Sequence, residues 1–373
     1  MSKVQSQDKQ KRTVIKYVAS LAFMLLILFW TMKGILKDTS LDAIRKSILT
    51  ADPRWIAAGF VLMLIYLLSW AEFFRVLIIK LFGYKPLYIA CLNTANIGYY
   101  FNNITPSSSG GQPMQLLYLH RCGVDVGGAS MFFIADTMFN NLVMILYATS
   151  MLIWQWDLMK ANLFGMKYML IVGYVFNGGL LLLMLGASIF PRHIHKYSRI
   201  IFNWLSKKKV FRHPAKVRNK LDDFFNSYGA AARGLTKQPA LMCRLFFIRL
   251  IQFAAYNLVP YTACRALGAS QDIIWPTFSL QSVLFLASSG FPTPGAVGIT
   301  EKGFVTMFRN VLPDGQVESA MILARFINFY AFLVICAMVT VFAFAFAGKV
   351  KAAMFPDTQS NTAAIEEPKQ LKE

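Results

Sequence analysis

The sequence predicts an all-α polytopic membrane protein built as two inverted repeats, each with three spanning helices and one re-entrant hairpin. Of its 373 residues, 56% are hydrophobic and only 15% are charged, whereas a soluble domain has about 25% charged residues. Six long apolar segments are separated by polar stretches. A Thr-Pro-x-x-x-Gly motif occurs twice, beginning at Thr105 and at Thr293, an offset of 293 − 105 = 188 residues. These three observations together predict the fold class.

Each of the six apolar segments has the roughly 20 residues that a helix needs to cross the hydrocarbon core. The predicted spans are 14–32, 55–82, 128–154, 165–190, 240–264 and 318–347. Two other apolar stretches run into breaks rich in Pro, Gly and Ser, and each is followed by a second short helical piece. Backbone broken at membrane depth must be buried in protein or line a wet cavity. We therefore interpret 87–120 and 273–309 as re-entrant hairpins; the alternative is ordinary helices with a kink or an external loop.

The distribution of Lys and Arg predicts the orientation. The loop 191–238 carries twelve basic residues against two acids, and such loops stay on the cytoplasmic side. Both termini are then cytoplasmic. This loop also suits contact with anionic lipid headgroups. Nucleic-acid binding is the alternative. No aromatic-interleaved fold accompanies the loop, so we expect no nucleic-acid partner.

The segment 38–54 has apolar residues at helical spacing and is predicted to lie on the outer membrane surface.

The predicted organisation follows from these spans. It consists of a cytoplasmic tail (1–13), a first membrane repeat (14–154), a second membrane repeat (165–347) that contains the basic loop, and a disordered cytoplasmic tail (348–373).

The 188-residue offset extends beyond the motif. It carries the span 55–82 onto 243–270 and the span 128–154 onto 316–342, close to two spans recognised independently. With three crossings in each half, the second half starts on the opposite side of the membrane from the first. Such inverted repeats are typical of secondary transporters, whose sites lie where the broken elements of the two halves meet.

The first hairpin is rich in amides, hydroxyls and glycines. Its candidate ligand residues are Asn102, Asn103, Thr105, Ser107, Ser108, Ser109, Gly110, Gly111, Gln112 and Gln115. Glycines expose backbone N–H groups, and helix N-termini carry partial positive charge, so an anionic phosphate headgroup would suit this hairpin. The alternative is a polar helix break whose groups are satisfied by their own neighbours.

The second hairpin adds the candidates Pro294, Gly295, Gly298 and Glu301. Glu301 follows the break, where its carboxylate either caps the returning helix or serves as the counter-charge of a cation such as Arg325. An unpaired charge inside a membrane bundle costs at least about 2.5 kcal/mol, so we predict that the Glu301 and Arg325 side chains lie within about 6 Å or share a headgroup. Asp136, with Asn140 one turn along, is another candidate.

Several chemistries have no matching motif. We find no nucleophile–base pair, no nucleophile elbow and no phosphate-binding loop of the GxxxxGK[ST] form. The five cysteines are scattered without metal-ligand spacing. His193 and His195 form the one close histidine pair, and no acid or cysteine is nearby. We therefore expect no catalytic residue, no metal and no cofactor.

The two breaks carry a family resemblance. The segments from Asn102 to Gln115 and from Phe291 to Glu301 resemble the paired motifs of the lysylphosphatidylglycerol synthase transmembrane family, which forms the flippase domain of the multiple peptide resistance factor. The resemblance covers about residues 10–350. Arg325 resembles an arginine common in that family, and Asp136 lies where an acid is usual. Many members carry Arg after the Gly-Gly, whereas Gln112 stands here, so no phosphate-clamping Arg is carried over to that position.

The resemblance implies a flippase of a bacterial plasma membrane. Its cargo would be lysyl-phosphatidylglycerol or another anionic or aminoacylated phospholipid. Bifunctional members add a cytosolic domain that lysylates phosphatidylglycerol; about 25 polar residues follow the last span here, so we expect that domain to be absent. The alternatives are a lipid-modifying enzyme using Asp136 or Glu301, and a non-transporting lipid-binding scaffold for a separate synthase. Self-association stays open.

Overall fold

In the computed structural model, the described residues are 41–83, 85–124, 126–163, 165–189, 238–313 and 315–354, with Phe202, Arg218 and Asp222 as isolated positions. The predicted span 14–32, the N-terminal tail, nearly all of the basic loop and the tail beyond residue 354 lie outside them. Within these ranges all regular secondary structure is helical, as the sequence predicts.

Twelve α-helices are described. In chain order they are α1 (Leu41–Leu49), α2 (Pro53–Phe82), α3 (Tyr88–Ile104), α4 (Gly111–Arg121), α5 (Val126–Trp154), α6 (Trp156–Asn162), α7 (Lys167–Ile189), α8 (Pro239–Ala266), α9 (Ile274–Ser289), α10 (Ile299–Phe308), α11 (Val317–Arg325) and α12 (Phe332–Met354). Short 3₁₀ turns cover Pro106–Ser108, Gln271–Ile273 and Pro294–Ala296. A π-helical stretch, Phe326–Ala331, joins α11 to α12.

Five of the predicted spans coincide with helices that are long and apolar enough to cross a membrane. These helices are α2, α5, α7, α8 and the continuous unit from α11 to α12. The start of α2 is fixed locally: Asp52 accepts a hydrogen bond from the Arg54 backbone N–H at 2.9 Å, and Pro53 occupies the first helical position. The short helix α6 lies between two predicted spans and was not predicted.

The helices of the two halves pack in a reciprocal pattern. The most extensive contact joins α2 to α8, the two helices that the 188-residue offset relates. In the same way α3 of the first half lies along α12 of the second, and α9 of the second lies along α5 of the first. The α2–α8 contact is close at Gly59, where a Cβ atom would lie 2.8 Å from the Thr262 hydroxyl.

The backbone of the two helix breaks also repeats at this offset. Ser107 and Ser108 have φ of 52° and 51°, and Gly295 and Ala296, 188 positions later, have φ of 60° and 50°. The following helices α4 and α10 begin at Gly111 and Ile299, again 188 apart. The internal repeat is thus present in backbone conformation; its inversion across a membrane stays a prediction.

The two ends of the bundle differ in side-chain chemistry. At one end, where α2 and α12 finish and α8 begins, the exposed charged residues that the structure describes are all cations. We call it the basic end; its residues are Lys80, Arg121, Arg244, Lys349 and Lys351. The opposite end carries Trp55, Trp154, Trp156 and Trp275, and we call it the tryptophan end; its exposed cations, such as Lys160 and Arg309, are mixed with exposed acids. Tryptophan is enriched at membrane–water interfaces.

Candidate functional site

The two helix breaks touch each other. Gly295 has a left-handed backbone, and a Cβ atom there would lie 2.4 Å from the Phe329 ring and 3.2 Å from the Asn103 carbonyl oxygen. The second break is therefore wedged between the first break and the π-helical stretch of the last span. We call this contact region, 102–111 with 293–298 and Phe329, the junction.

A buried ion pair holds the second break at the junction. Arg325 donates from Nε to Glu301 Oε1 at 2.7 Å, and from Nη2 to the Gly295 carbonyl oxygen at 3.2 Å. Glu301 Oε2 accepts from the Gly298 backbone N–H at 2.6 Å. The Arg325 side chain is 4% exposed and that of Glu301 0%. The predicted proximity is confirmed, and Glu301 both caps its helix and neutralises Arg325.

The first break satisfies much of its own hydrogen bonding. Thr105 donates to the Phe101 carbonyl oxygen at 2.6 Å and accepts from the Gly110 N–H at 2.9 Å. Ser109 donates to the Pro106 carbonyl oxygen at 2.9 Å. Ser107 and Ser108 are exposed on the turn. At these positions the structure favours the alternative of a self-satisfied helix break.

Other amides of the first hairpin are also engaged. Asn103 donates to the Tyr99 carbonyl oxygen at 2.8 Å, and the exposed Gln112 donates to the Thr137 hydroxyl at 2.7 Å. Gln115 is 1% exposed and donates to the Thr94 carbonyl oxygen at 3.0 Å. Its amide nitrogen is therefore engaged inside the hairpin, whereas its Oε1 is buried without a hydrogen bond from the described residues.

Two buried oxygens at the junction have no such partner. Asn102 Oδ1 and Thr293 Oγ1 are buried and receive no hydrogen bond from the described residues. Asn102 lies directly against Gly111, where a Cβ atom would be 2.1 Å from Oδ1. Buried polar groups are normally paired, so a donor-bearing ligand or water would complete these two oxygens; eight further buried side-chain atoms of the described residues share this status elsewhere.

Asp136 lies in a second buried ion pair, with Arg249. The carboxylate oxygen Oδ1 accepts from Arg249 Nη2 and from Trp70 Nε1, the latter at 2.9 Å. Arg249 is 1% exposed and also donates to Gln252 Oε1 at 2.6 Å. Asn140 is half-buried, one turn further along α5. The pair links α5 of the first half to α8 of the second. The hydrogen-bond partners of Asp136 and Arg249 given above are not junction residues.

A group of tyrosines, which were not predicted as site residues, lies between the two ion pairs. The Tyr66 ring centroid lies 6.2 Å from that of Trp70, 6.2 Å from that of Tyr99 and 5.6 Å from that of Tyr256. Tyr99 donates its hydroxyl to the Asn328 carbonyl oxygen in the π-helical stretch at 2.5 Å. Nothing in the local pattern distinguishes these aromatics from ordinary packing residues.

Most of the chain matches a known protein family. The sequence model described as the lysylphosphatidylglycerol synthase TM region matches residues 17–336, which include both breaks and both buried ion pairs. The chain belongs to this family. It is also 22% identical over 314 residues to a UPF0104 membrane protein of Archaeoglobus fulgidus, covering 80% of this chain and 92% of the relative. Membership in the lysylphosphatidylglycerol synthase TM family makes the chain a multi-pass membrane protein of a lipid-related family.

Proposed function

We propose that this protein translocates phospholipids between the two leaflets of a bacterial plasma membrane. Headgroups cross at the junction while the acyl chains stay in the lipid. The cargo is an anionic or aminoacylated phospholipid, with lysyl-phosphatidylglycerol as the first candidate. The chain forms an inverted repeat, in which α3–α4 and α9–α10 are re-entrant hairpins entering from opposite sides.

The observation that carries this proposal is the junction itself. Two broken helices, one from each half, meet at Gly295 and Asn103. Asn102 Oδ1 and Thr293 Oγ1 are left there as buried acceptors. Non-helical backbone at membrane depth is tolerated where it lines a cavity or is buried in protein. A passing headgroup that donates hydrogen bonds would supply the partners that these oxygens lack.

The charged residues have a positioning role in this proposal. Arg325 and Glu301 satisfy each other, so they hold the second break against the last span instead of binding the headgroup. Asp136 acts through Arg249 in the same way, by holding the two halves together. The headgroup then contacts the neutral residues of the first break, including Ser107, Ser108 and Gln112.

The charge asymmetry supports the orientation. Among the described residues the exposed charges of the basic end are all cations, whereas exposed cations and acids are mixed at the tryptophan end. Because Lys and Arg stay on the cytoplasmic side, we place the basic end, the C-terminus of α12 and the N-terminal tail in the cytoplasm.

Reconstituted vesicles test the proposal. The purified protein is placed in liposomes with a headgroup-matched fluorescent phospholipid, and a membrane-impermeant quencher reports the lipid in the outer leaflet. We expect the quenchable fraction to rise from about half toward completeness, with lysyl-phosphatidylglycerol among the labelled lipids. Protein-free vesicles and vesicles with an unrelated helical membrane protein are the controls. Equal quenching in all three, for every lipid tried, would exclude translocation.

A further inference from the structure

A second lipid-accessible feature lies far from the junction, at the basic end. A cavity of about 440 Å³ opens between the end of α2 and the start of α8. Volumes of roughly 300–1,000 Å³ are usual for small-molecule sites. Among the residues that line it are Val76, Ile79, Lys80, Ala240, Leu241 and Arg244.

The charge around this cavity is positive. The charged residues that line it are Lys80 and Arg244, and Glu72 lies beside Arg244. Glu72 is already occupied, because its two oxygens accept from Arg75 at 3.1 Å and from Arg244 at 2.9 Å. No acid is among the lining residues, so Lys80 and Arg244 make the rim positive, with Arg244 partly neutralised by Glu72.

The wall below the charged rim is apolar. Val76 is 3% exposed and Leu241 is 5% exposed, and Ile79 completes this side of the cavity. The cavity thus changes from cationic to apolar as it enters the bundle. A free phosphate would use the rim alone, whereas a phospholipid would use both parts, with its phosphate at the rim and its glycerol below.

We propose that this cavity binds the phosphate of an anionic phospholipid as a site separate from the junction. Lys80 and Arg244 pair with the phosphate oxygens, as charge-assisted hydrogen bonds favour. The helix α2 shows how far this cavity is from the junction region. Phe60 contacts Phe326 in the π-helical stretch. Lys80 follows Phe60 by about 20 residues on α2, or about 30 Å along the helix axis. Binding here therefore does not require transport through the junction.

Thermal unfolding of the full-length protein in neutral detergent tests the site. Phosphatidylglycerol is titrated against the wild type, the double variant Lys80→Gln/Arg244→Gln and the matched double variant Lys160→Gln/Arg309→Gln. The latter removes the same charge from exposed positions away from the cavity. We expect phosphatidylglycerol to raise the Tm of the wild type and the matched control alike. The cavity variant should need at least about tenfold more lipid for the same rise, since two charge-assisted hydrogen bonds are lost.

Two further measurements identify the bound ligand and its position. Ala240→Trp keeps every charge and fills the opening, so it should weaken the phosphatidylglycerol effect as much as the charge removal does. Phosphatidylcholine and inorganic phosphate should each shift the wild-type Tm much less than phosphatidylglycerol. An equal shift by inorganic phosphate would overturn the lipid assignment. A phosphatidylglycerol response that is the same in the cavity variants and the wild type would overturn the site.

Discussion

At the scale of single residues, the two buried ion pairs differ in what they connect. Glu301 and Arg325 join a helix break to the last span within the second half. Asp136 and Arg249 join the two halves. In both pairs the carboxylate accepts a further hydrogen bond, from the Gly298 N–H or from Trp70. Breaking a buried pair by removing one charge leaves the other uncompensated, which costs about 3–5 kcal/mol.

The first prediction concerns the junction pair. Glu301→Gln and Arg325→Gln should each lower the unfolding free energy by about 3–5 kcal/mol and impair transport. The double variant should lose clearly less than the sum, because the two residues contact each other. Denaturant unfolding and the vesicle assay measure both quantities. Glu72→Gln, in a partly exposed pair, is the control and should cost at most about 1 kcal/mol. Strictly additive losses would contradict the pairing.

The second prediction tests whether Asp136 holds the two halves together or binds the lipid headgroup. Asp136→Asn should lower stability by about 3–5 kcal/mol by leaving Arg249 buried without its counter-charge. Asp136→Asn/Arg249→Gln should recover much of this loss, because no lone charge remains. If Asp136 only holds the halves together, the recovered double variant transports lipid at nearly the wild-type rate. A stable double variant that fails to transport would instead place Asp136 in the headgroup path.

At the scale of elements, the breaks explain the repeated Thr-Pro-x-x-x-Gly motif. In each copy Pro begins a 3₁₀ turn, and the next two residues have positive φ. The second copy uses Gly295 at the first of these positions, and the Phe329 ring occupies the space where a side chain would stand. The motif therefore encodes both a turn shape and a close contact.

A glycine exchange tests this contact. Gly295→Ala should destabilise the protein and reduce transport, because the left-handed backbone disfavours a side chain and the new Cβ would lie 2.4 Å from Phe329. Gly178→Ala in α7 is the matched control: a Cβ there meets nothing within 4 Å, so stability should stay equal or rise slightly. Thermal unfolding of both variants gives the comparison. A tolerated Gly295→Ala would show that the break is not tightly packed.

The elements also show how far local sequence signals reach. Apolar length predicted the ends of the five described spans to within two residues, because each helix must cross the same hydrocarbon thickness. The exception is the last span, predicted to end at 347, where the helix continues to Met354. It did not predict α6, whose seven residues are too few for a periodic signal. The Glu301–Arg325 contact followed from the cost of burying charge. The Asp136–Arg249 contact did not, because any of several membrane charges could have been the partner across 113 residues.

At the scale of the whole molecule, the two halves pack against each other in a reciprocal pattern, and the two ends of the bundle differ in their exposed charges. A repeat whose halves face opposite sides can give one end a purely cationic surface only if the connecting loops differ. Among the described residues, exposed acids accompany the exposed cations at the tryptophan end and not at the basic end. The sequence predicted a basic side from the loop 191–238, which lies almost entirely outside the described residues, so the orientation stays a prediction. The junction could not be predicted residue by residue, since the contact between Gly295 and Asn103 depends on how the two halves dock.

Cysteine labelling tests the orientation. Cys243 is the exposed cysteine among the described residues, and the other four are buried. In a Cys243→Ser background, Lys160→Cys at the tryptophan end should react with a membrane-impermeant maleimide on intact cells. Lys351→Cys at the basic end should react only after permeabilisation. The reverse pattern would place the basic end outside the cell.

The most direct test of the central claim is to trap a headgroup at the junction. A phosphatidylglycerol with a photoactivatable group on its headgroup is incorporated with the protein into vesicles and illuminated, and the adducts are mapped by mass spectrometry. Our account predicts adducts within 102–112 and 293–298, reduced by an excess of unlabelled lipid. Adducts confined to outward-facing residues such as Val175 and Leu182, which are 70% and 71% exposed, would contradict passage through the junction.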